Sequence, residues 1–192
     1  MVVEVVVFDV GETLVDETEM WTRAAGVAGV PPFTLMVVLG GLAARGEPHS
    51  RVWEILGVER PGSTWTLDDW YPDALACIER LRAAGYRVGA SGNTPAFVED
   101  DLRAYVDFVG SSASWGVEKP APEFFARLAE LAAVEPRKIA YVGDRVDNDV
   151  RPALAAGMVG VHIRGGPWGH LHEPPETAIR IASLDELPSA LP

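Results

Sequence analysis

Residues 2–8 read VVEVVVF, almost all β-branched, and the run stops at Asp9. So short and so uniformly apolar a segment keeps no face for water. It reads as a strand buried on both sides, the pattern of a parallel sheet covered by helices. After Asp9 comes Val10-Gly11-Glu12-Thr13, a change from strand to turn chemistry at the strand's carboxyl end.

From about Asp16 to Trp70 the character changes. Helix-like stretches near Glu17–Ala28, Phe33–Ala44 and Ser50–Leu56 are separated by Gly and Pro, and four of the six tryptophans fall here. This segment reads as a small helical insertion packing on itself, the tryptophans being core. An α/β rhythm then resumes. Helices are predicted at Pro72–Ala84, Pro95–Ala104, Pro122–Ala133 and Asp149–Ala156, and strands at Tyr86–Ser91, Val106–Val109, Lys138–Val142 and Val159–Ile163, the last clear one. Gly85 and Gly157 stop two of the helices, and a proline opens another. Strands alternating with helices imply right-handed βαβ units. The expected fold is therefore α/β: a Rossmann-like open parallel sheet flanked by helices, with a small α-helical insertion. Residues 1–15 and 71–192 would form the core and 16–70 the insertion.

Ligands of such sheets bind beyond the carboxyl ends of the strands. The residues there are Asp9, Ser91-Gly92-Asn93 and Asp144, which should converge although no sequence window holds them all. Four blocks carry them: Phe8-Asp9-Val10-Gly11-Glu12-Thr13-Leu14; Gly89-Ala90-Ser91-Gly92-Asn93-Thr94; Gly116-Val117-Glu118-Lys119-Pro120; and Tyr141-Val142-Gly143-Asp144-Arg145-Val146-Asp147-Asn148-Asp149. In composition and order they resemble the four motifs of the haloacid dehalogenase-like (HAD) hydrolases, and the insertion lies where that family places a helical cap.

The resemblance implies a phosphoric monoester hydrolase acting on a small phosphorylated molecule. Asp9 would be the nucleophile, forming an aspartyl-phosphate. Mg²⁺ would be held by Asp9, the carbonyl of Gly11 and Asp144, with Asp149 acting directly or through a water; an oxygen-only shell suits that ion. Lys119 would neutralise both phosphate and nucleophile, and Ser91, Gly92 and Asn93 would cradle phosphate oxygens, main-chain donors included.

The chain departs from the family at two places. The family's phosphatases carry a second Asp two residues after the nucleophile, which protonates the leaving group and later activates water; here that position is Gly11. Such a group contributes about 10²–10⁴-fold in rate. Glu12 is one residue off, and in an extended segment it would point to the other face. The second motif's hydroxyl maps to Gly92, to Ser91 or to Thr94. The expected enzyme is therefore slow on alkyl phosphates, and the alternative is an impaired protein that binds a phosphorylated ligand or a protein partner. Retention of Asp144 and Asp149 argues against the family's metal-free dehalogenase branch. The absence of lysine between Asp16 and Trp70 argues against its Schiff-base branch.

Composition narrows the partners. The net charge of −12 disfavours nucleic acid and a basic membrane-binding helix. The single cysteine, Cys77, permits no internal disulfide and reads as a core thiol. Glu4 and Asp9 in the opening run, with no basic leader, argue against a signal peptide, and no stretch approaches the ~18 apolar residues of a membrane span. A cytoplasmic monomer or homodimer is expected. The four histidines show no metal spacing, and His170-Leu171-His172 reads as a surface loop. Arg23, Arg45, Arg51 and His49 are candidates to touch an anionic substrate, and Asp147 reads as a surface turn.

Overall fold

The computed structural model describes residues 2–62 and 65–192; Met1 and, within the insertion, Ser63 and Thr64 lie outside the described residues. Strand β1 (Val5–Phe8) is the middle of a six-stranded sheet. The others are β2 (Arg87–Gly92), β3 (Phe108–Ser111), β4 (Ile139–Gly143), β5 (Val159–Ile163) and β6 (Ile179–Ile181). Their order across the sheet is β3-β2-β1-β4-β5-β6, and every pairing is parallel. All four residues of β1 are buried, as its composition demands.

The pleat sends alternate residues to two cores. Val6 and Phe8, with Val88, Ala90, Ala140 and Val142, meet Ala74, Cys77, Ile78 and Leu81. Val5 and Val7, with Ile139 and Tyr141, meet Phe124, Phe125, Leu128 and Ala132. Those two quartets, at helical spacing, are the inner stripes of two helices, Ala74–Ala83 and Pro122–Ala132.

Helices α1 (Thr18–Ala28), α2 (Pro32–Ala44) and α3 (Arg51–Leu56) make up most of the insertion. The two helices that flank the sheet are then α4 (Ala74–Ala83) and α7 (Pro122–Ala132), with the short α5 (Val98–Leu102) and α6 (Ser112–Trp115) between them. The insertion has a third core of its own, including Ala24, Ala25, Leu35, Leu39, Leu42, Val52 and Trp53. It does not pack only on itself. Trp168, from the segment after β5, is buried in that core, whereas Trp65 belongs to the sheet's core and Trp70 packs against it. No single helix among the described residues is long and apolar enough to cross a membrane; α1 and α2 pass together on length and composition but meet at 116°.

Two predicted elements shift and one strand is new. β3 begins two residues late, because Val106 is buried before the strand and Asp107 is committed to Val88. Asp107 N donates to the Val88 carbonyl and Asp107 Oδ2 accepts from Val88 N, each at 2.7 Å. The helix expected from Asp149 begins instead as a π-helical turn, Val146–Val150, before α8 (Arg151–Ala155). β6 has no counterpart among the predicted strands: three residues with one exposed arginine between two isoleucines carry too little pattern. A short α9 (Leu187–Ala190) closes the chain.

Candidate active site

Parallel register assembles the site. Phe8 aligns with Ala90 on one side and Val142 on the other, so the next residue, Asp9, leaves the sheet beside the ends of β2 and β4. Its N–H donates to the Val142 carbonyl at 2.8 Å, continuing the ladder through the carboxylate-bearing residue. Asp144 comes directly after β4. The π turn then places Asp149 back over the strand end, where Asp149 N donates to the Arg145 carbonyl and its Oδ2 accepts from Arg145 N at 3.0 Å. Asp149 is thus no simple helix cap. Irregular helical turns of this kind are frequent at functional sites.

Oxygen atoms of Asp9, Asp144 and Asp149 all lie within 4.8 Å of one another. Lys119 enters from the loop before α7, and its Nζ lies 2.7 Å from Asp9 Oδ1 and 2.5 Å from Asp149 Oδ1. Burial opposes its charge, but Asp149 and Asp9 outweigh that and hold the ammonium protonated well above the ordinary lysine range. Burial, reinforced by Asp149 and Asp9, pushes the Asp144 carboxyl up, and its Oδ2 is buried without a hydrogen-bond partner. Three buried carboxylates facing one ammonium, with an unsatisfied oxygen among them, form a donor set that fits a hard divalent cation. Gly11 opens onto the same space.

The residues expected to cradle phosphate separate. Asn93 and Thr94 border the cavity, whereas Ser91 is fully buried in β2 with its hydroxyl unpartnered and its carbonyl accepting from Tyr141 Oη at 2.7 Å. Gly92 abuts the Asp9 carboxylate so closely that a Cβ there would collide with Asp9 Oδ1. Any hydroxyl residue at position 92 would therefore displace the Asp9 carboxylate, and of the three positions open to the second motif's hydroxyl Thr94 is the one that borders the cavity. The Asn93 side chain also has a job unread in the sequence: Nδ2 donates to the Lys119 carbonyl at 3.0 Å and Oδ1 accepts from Lys119 N at 2.8 Å. This amide clamp sets where the lysine stem starts.

The loop after Asp9 folds back on itself. The N–H groups of Leu14 and Val15 both donate to the Val10 carbonyl, and Glu12 adopts a left-handed φ of 54°. Glu12 is turned away from the cavity, as expected, but by this turn and not by extended alternation. Its Oε2 accepts from Tyr71 Oη at 2.7 Å and its Oε1 from Glu17 N at 3.0 Å. Burial drives the Glu12 carboxyl up to about 7 against the pull of those hydrogen bonds. Glu17 begins α1 and borders the cavity; burial first, and then Glu12, raise it to about 8. Trp21 Nε1 donates to its Oε2 at 3.1 Å.

The cavity has a volume of about 450 Å³ and lies between the strand ends and the helical insertion. Trp21, Trp53, Trp65 and Trp168 border it, so these tryptophans are core and wall at once. Of the four candidates for an anionic substrate only His49 borders it. Burial and Arg145 lower His49 to about 4, leaving it neutral. Arg23 is ion-paired with Asp69, and Arg45 and Arg51 both with Glu47. The arginines that do line the cavity are Arg60 and Arg145, the latter held by Asp147 at 2.5 Å, so Asp147 is part of the wall and not a surface turn.

A family model described as haloacid dehalogenase-like hydrolase matches residues 3–157. The chain is 36% identical over 104 residues to a glyceraldehyde 3-phosphate phosphatase of Methanopyrus kandleri, covering 51% of this chain and 45% of that one. It is 30% identical to a phosphoglycolate phosphatase of Cereibacter sphaeroides over 97% of this chain and 96% of the relative. It spans about half the length of the glyceraldehyde 3-phosphate phosphatases it matches, 45% and 54%. Among solved structures, a HAD phosphatase from Thermococcus onnurineus superposes with a TM-score of 0.67 at 21% identity, covering 97% and 96% of the two chains. A dehalogenase superposes with 0.73 at 20%, covering 98% and 97%. At those identities the structural likeness concerns the fold alone.

Proposed function

Since this chain belongs to the haloacid dehalogenase-like hydrolases, we propose that it is a cytoplasmic, Mg²⁺-dependent phosphatase of small phosphorylated metabolites, working through an aspartyl-phosphate on Asp9. The observation that carries this reading is the buried cluster in which Lys119 bridges Asp9 and Asp149 beside Asp144. A cluster with three carboxylates and one ammonium holds more negative charge than its lysine can offset, so it calls for a further cation. An attack on carbon that expels halide has no use for that cation, which favours phosphorus as the centre attacked. Relatives named for glyceraldehyde 3-phosphate and phosphoglycolate make those two esters the first substrates to test.

In this reading Asp9, Asp144 and the Gly11 carbonyl would hold Mg²⁺, with Asp149 alongside. When bound, the ion would neutralise phosphoryl oxygens and align the phosphorus with Asp9. The protein's own residues do the rest. Lys119 stabilises charge that builds on the phosphoryl group while holding the Asp9 carboxylate in place through its 2.7 Å contact. Asn93 fixes the lysine's backbone, and its own N–H is a donor at the cavity edge, whereas the Thr94 N–H is taken by the Gly92 carbonyl at 2.9 Å. The tryptophan wall excludes water from the side away from the phosphoryl group.

The test is release of inorganic phosphate from p-nitrophenyl phosphate, phosphoglycolate and glyceraldehyde 3-phosphate, with Mg²⁺ and with EDTA, by wild type and Asp9→Asn. Release that needs both Mg²⁺ and Asp9 is expected. Equal rates for the variant would end the proposal, and binding of these esters without release would favour a ligand-binding protein instead.

A further inference from the structure

Hydrolysis of an alkyl phosphate by this route has a proton problem at both steps. The departing alkoxide needs a proton, and the water that later attacks phosphorus must lose one. The residue two after the nucleophile is Gly11, which offers no side chain. The space beside Gly11 is nevertheless filled. A Cβ built on Gly11 would lie 2.5 Å from Glu17 Oε1 and 2.7 Å from Glu17 Cδ. The carboxyl absent from the loop is replaced in space by one delivered from the start of α1.

Several contacts hold it there. Trp21 donates to Oε2, which leaves Oε1 on the Gly11 side. Glu12, itself anchored by Tyr71, accepts the N–H of Glu17 and so ties down its backbone. Most other acids are committed elsewhere: Glu12 does not border the cavity, Asp147 is paired with Arg145, Glu47 with Arg45 and Arg51, and Asp149 with Lys119, while Asp9 and Asp144 belong to the carboxylate cluster and Glu118 borders the cavity from an exposed loop position. His49 borders the cavity but is held against Arg145 and Trp168.

We propose that Glu17 is the general acid and base of this site, occupying from the cap side the place that Gly11 vacates. The proposal rests on the reading of the protein as a phosphatase. In the first step Asp9 bonds to phosphorus, the bond from phosphorus to the ester oxygen breaks, and the Glu17 carboxyl gives its proton to that oxygen, releasing the alcohol. In the second, the Glu17 carboxylate takes a proton from water as its oxygen attacks phosphorus. The bond between Asp9 and phosphorus breaks, phosphate leaves, and both carboxyl groups return to their starting states.

The experiment compares wild type, Asp9→Asn, Glu17→Gln, Glu17→Ala and Gly11→Asp/Glu17→Ala on an alkyl ester (phosphoglycolate) and an aryl ester (p-nitrophenyl phosphate). Gln keeps an acceptor for Trp21, so the change removes the proton and little else. Glu17→Gln should lose about 10²–10⁴-fold in kcat on the alkyl ester. With the aryl ester, whose leaving group needs no acid, it should keep a rapid burst of nitrophenolate, followed by slow turnover and accumulation of hydroxylamine-sensitive phosphoenzyme. Gly11→Asp/Glu17→Ala should regain much of what Glu17→Ala loses, because the new aspartate enters the emptied space. Equal losses on both esters without phosphoenzyme, or no loss at all, would overturn the role of Glu17 while Asp9-dependent release keeps the phosphatase reading. Absence of Asp9-dependent release from wild type would overturn that reading first.

Discussion

Replacing Lys119 by methionine removes the ammonium but keeps an apolar stem of similar length. The lysine side chain is 1% exposed, Asp149 0% and Asp9 13%, so almost no water screens the two contacts of 2.5 and 2.7 Å. Breaking a surface pair costs about 0–1 kcal/mol, but stranding charges in a buried pair costs about 3–5 kcal/mol. For a chain of this size each kcal/mol moves the melting temperature by about 2–4 °C, so the variant should melt roughly 6–20 °C lower. Circular dichroism melts in EDTA near neutral pH measure this directly. Two companions sharpen it. Lys119→Met/Asp149→Asn strands one charge fewer and should recover part of the loss, and Mg²⁺ should raise the single variant's melting temperature more than it raises the wild type's. A fall under about 3 °C, the size a surface pair would give, would refute the reasoning.

Stability in EDTA should fall as pH rises from about 5 to about 8, because folded Glu12 and Glu17 retain protons that the unfolded chain has already released. For Glu12 the rise from 4.5 to about 7 corresponds to ~3 kcal/mol, so Glu12→Gln should flatten the melting profile in this window; an unchanged slope would count against it. Asp144→Asn should abolish the stabilisation by Mg²⁺, about 2.7 kcal/mol at a hundredfold excess over Kd in wild type, as read by calorimetry. Asn93→Ala removes the clamp on Lys119 and should cost about 10- to 100-fold in kcat through misplacement of the ammonium, with KM changed far less.

Much of this site is legible in the chain. A β-branched run ending at Asp9 can hardly be anything but a central parallel strand, because it has no polar face to expose. Once strands and helices alternate, sheet logic alone brings Asp9, Asn93 and Asp144 to one edge, and the wide spacing between the blocks ceases to matter. Those are consequences of period and topology, which local composition carries. The edge strand β6 and the π turn under Asp149 escape a reading of the sequence for the opposite reason: one has three residues, and the other depends on hydrogen bonds to Arg145 that no periodicity encodes.

Gly11 marks the boundary between the two kinds of knowledge. The resemblance to the family registers a missing carboxylate there, and Glu12, bonded to Tyr71 and to the Glu17 N–H, does not border the cavity. Whether another acid reaches that place depends on where α1 leaves the loop. That exit is set by the left-handed turn at Glu12, the Tyr71 hydroxyl fifty-nine residues away, and the Trp21 indole. These contacts exist only after the insertion has packed against the sheet, and with them the Glu17 carboxyl lands beside a glycine whose lack of a side chain makes room for it.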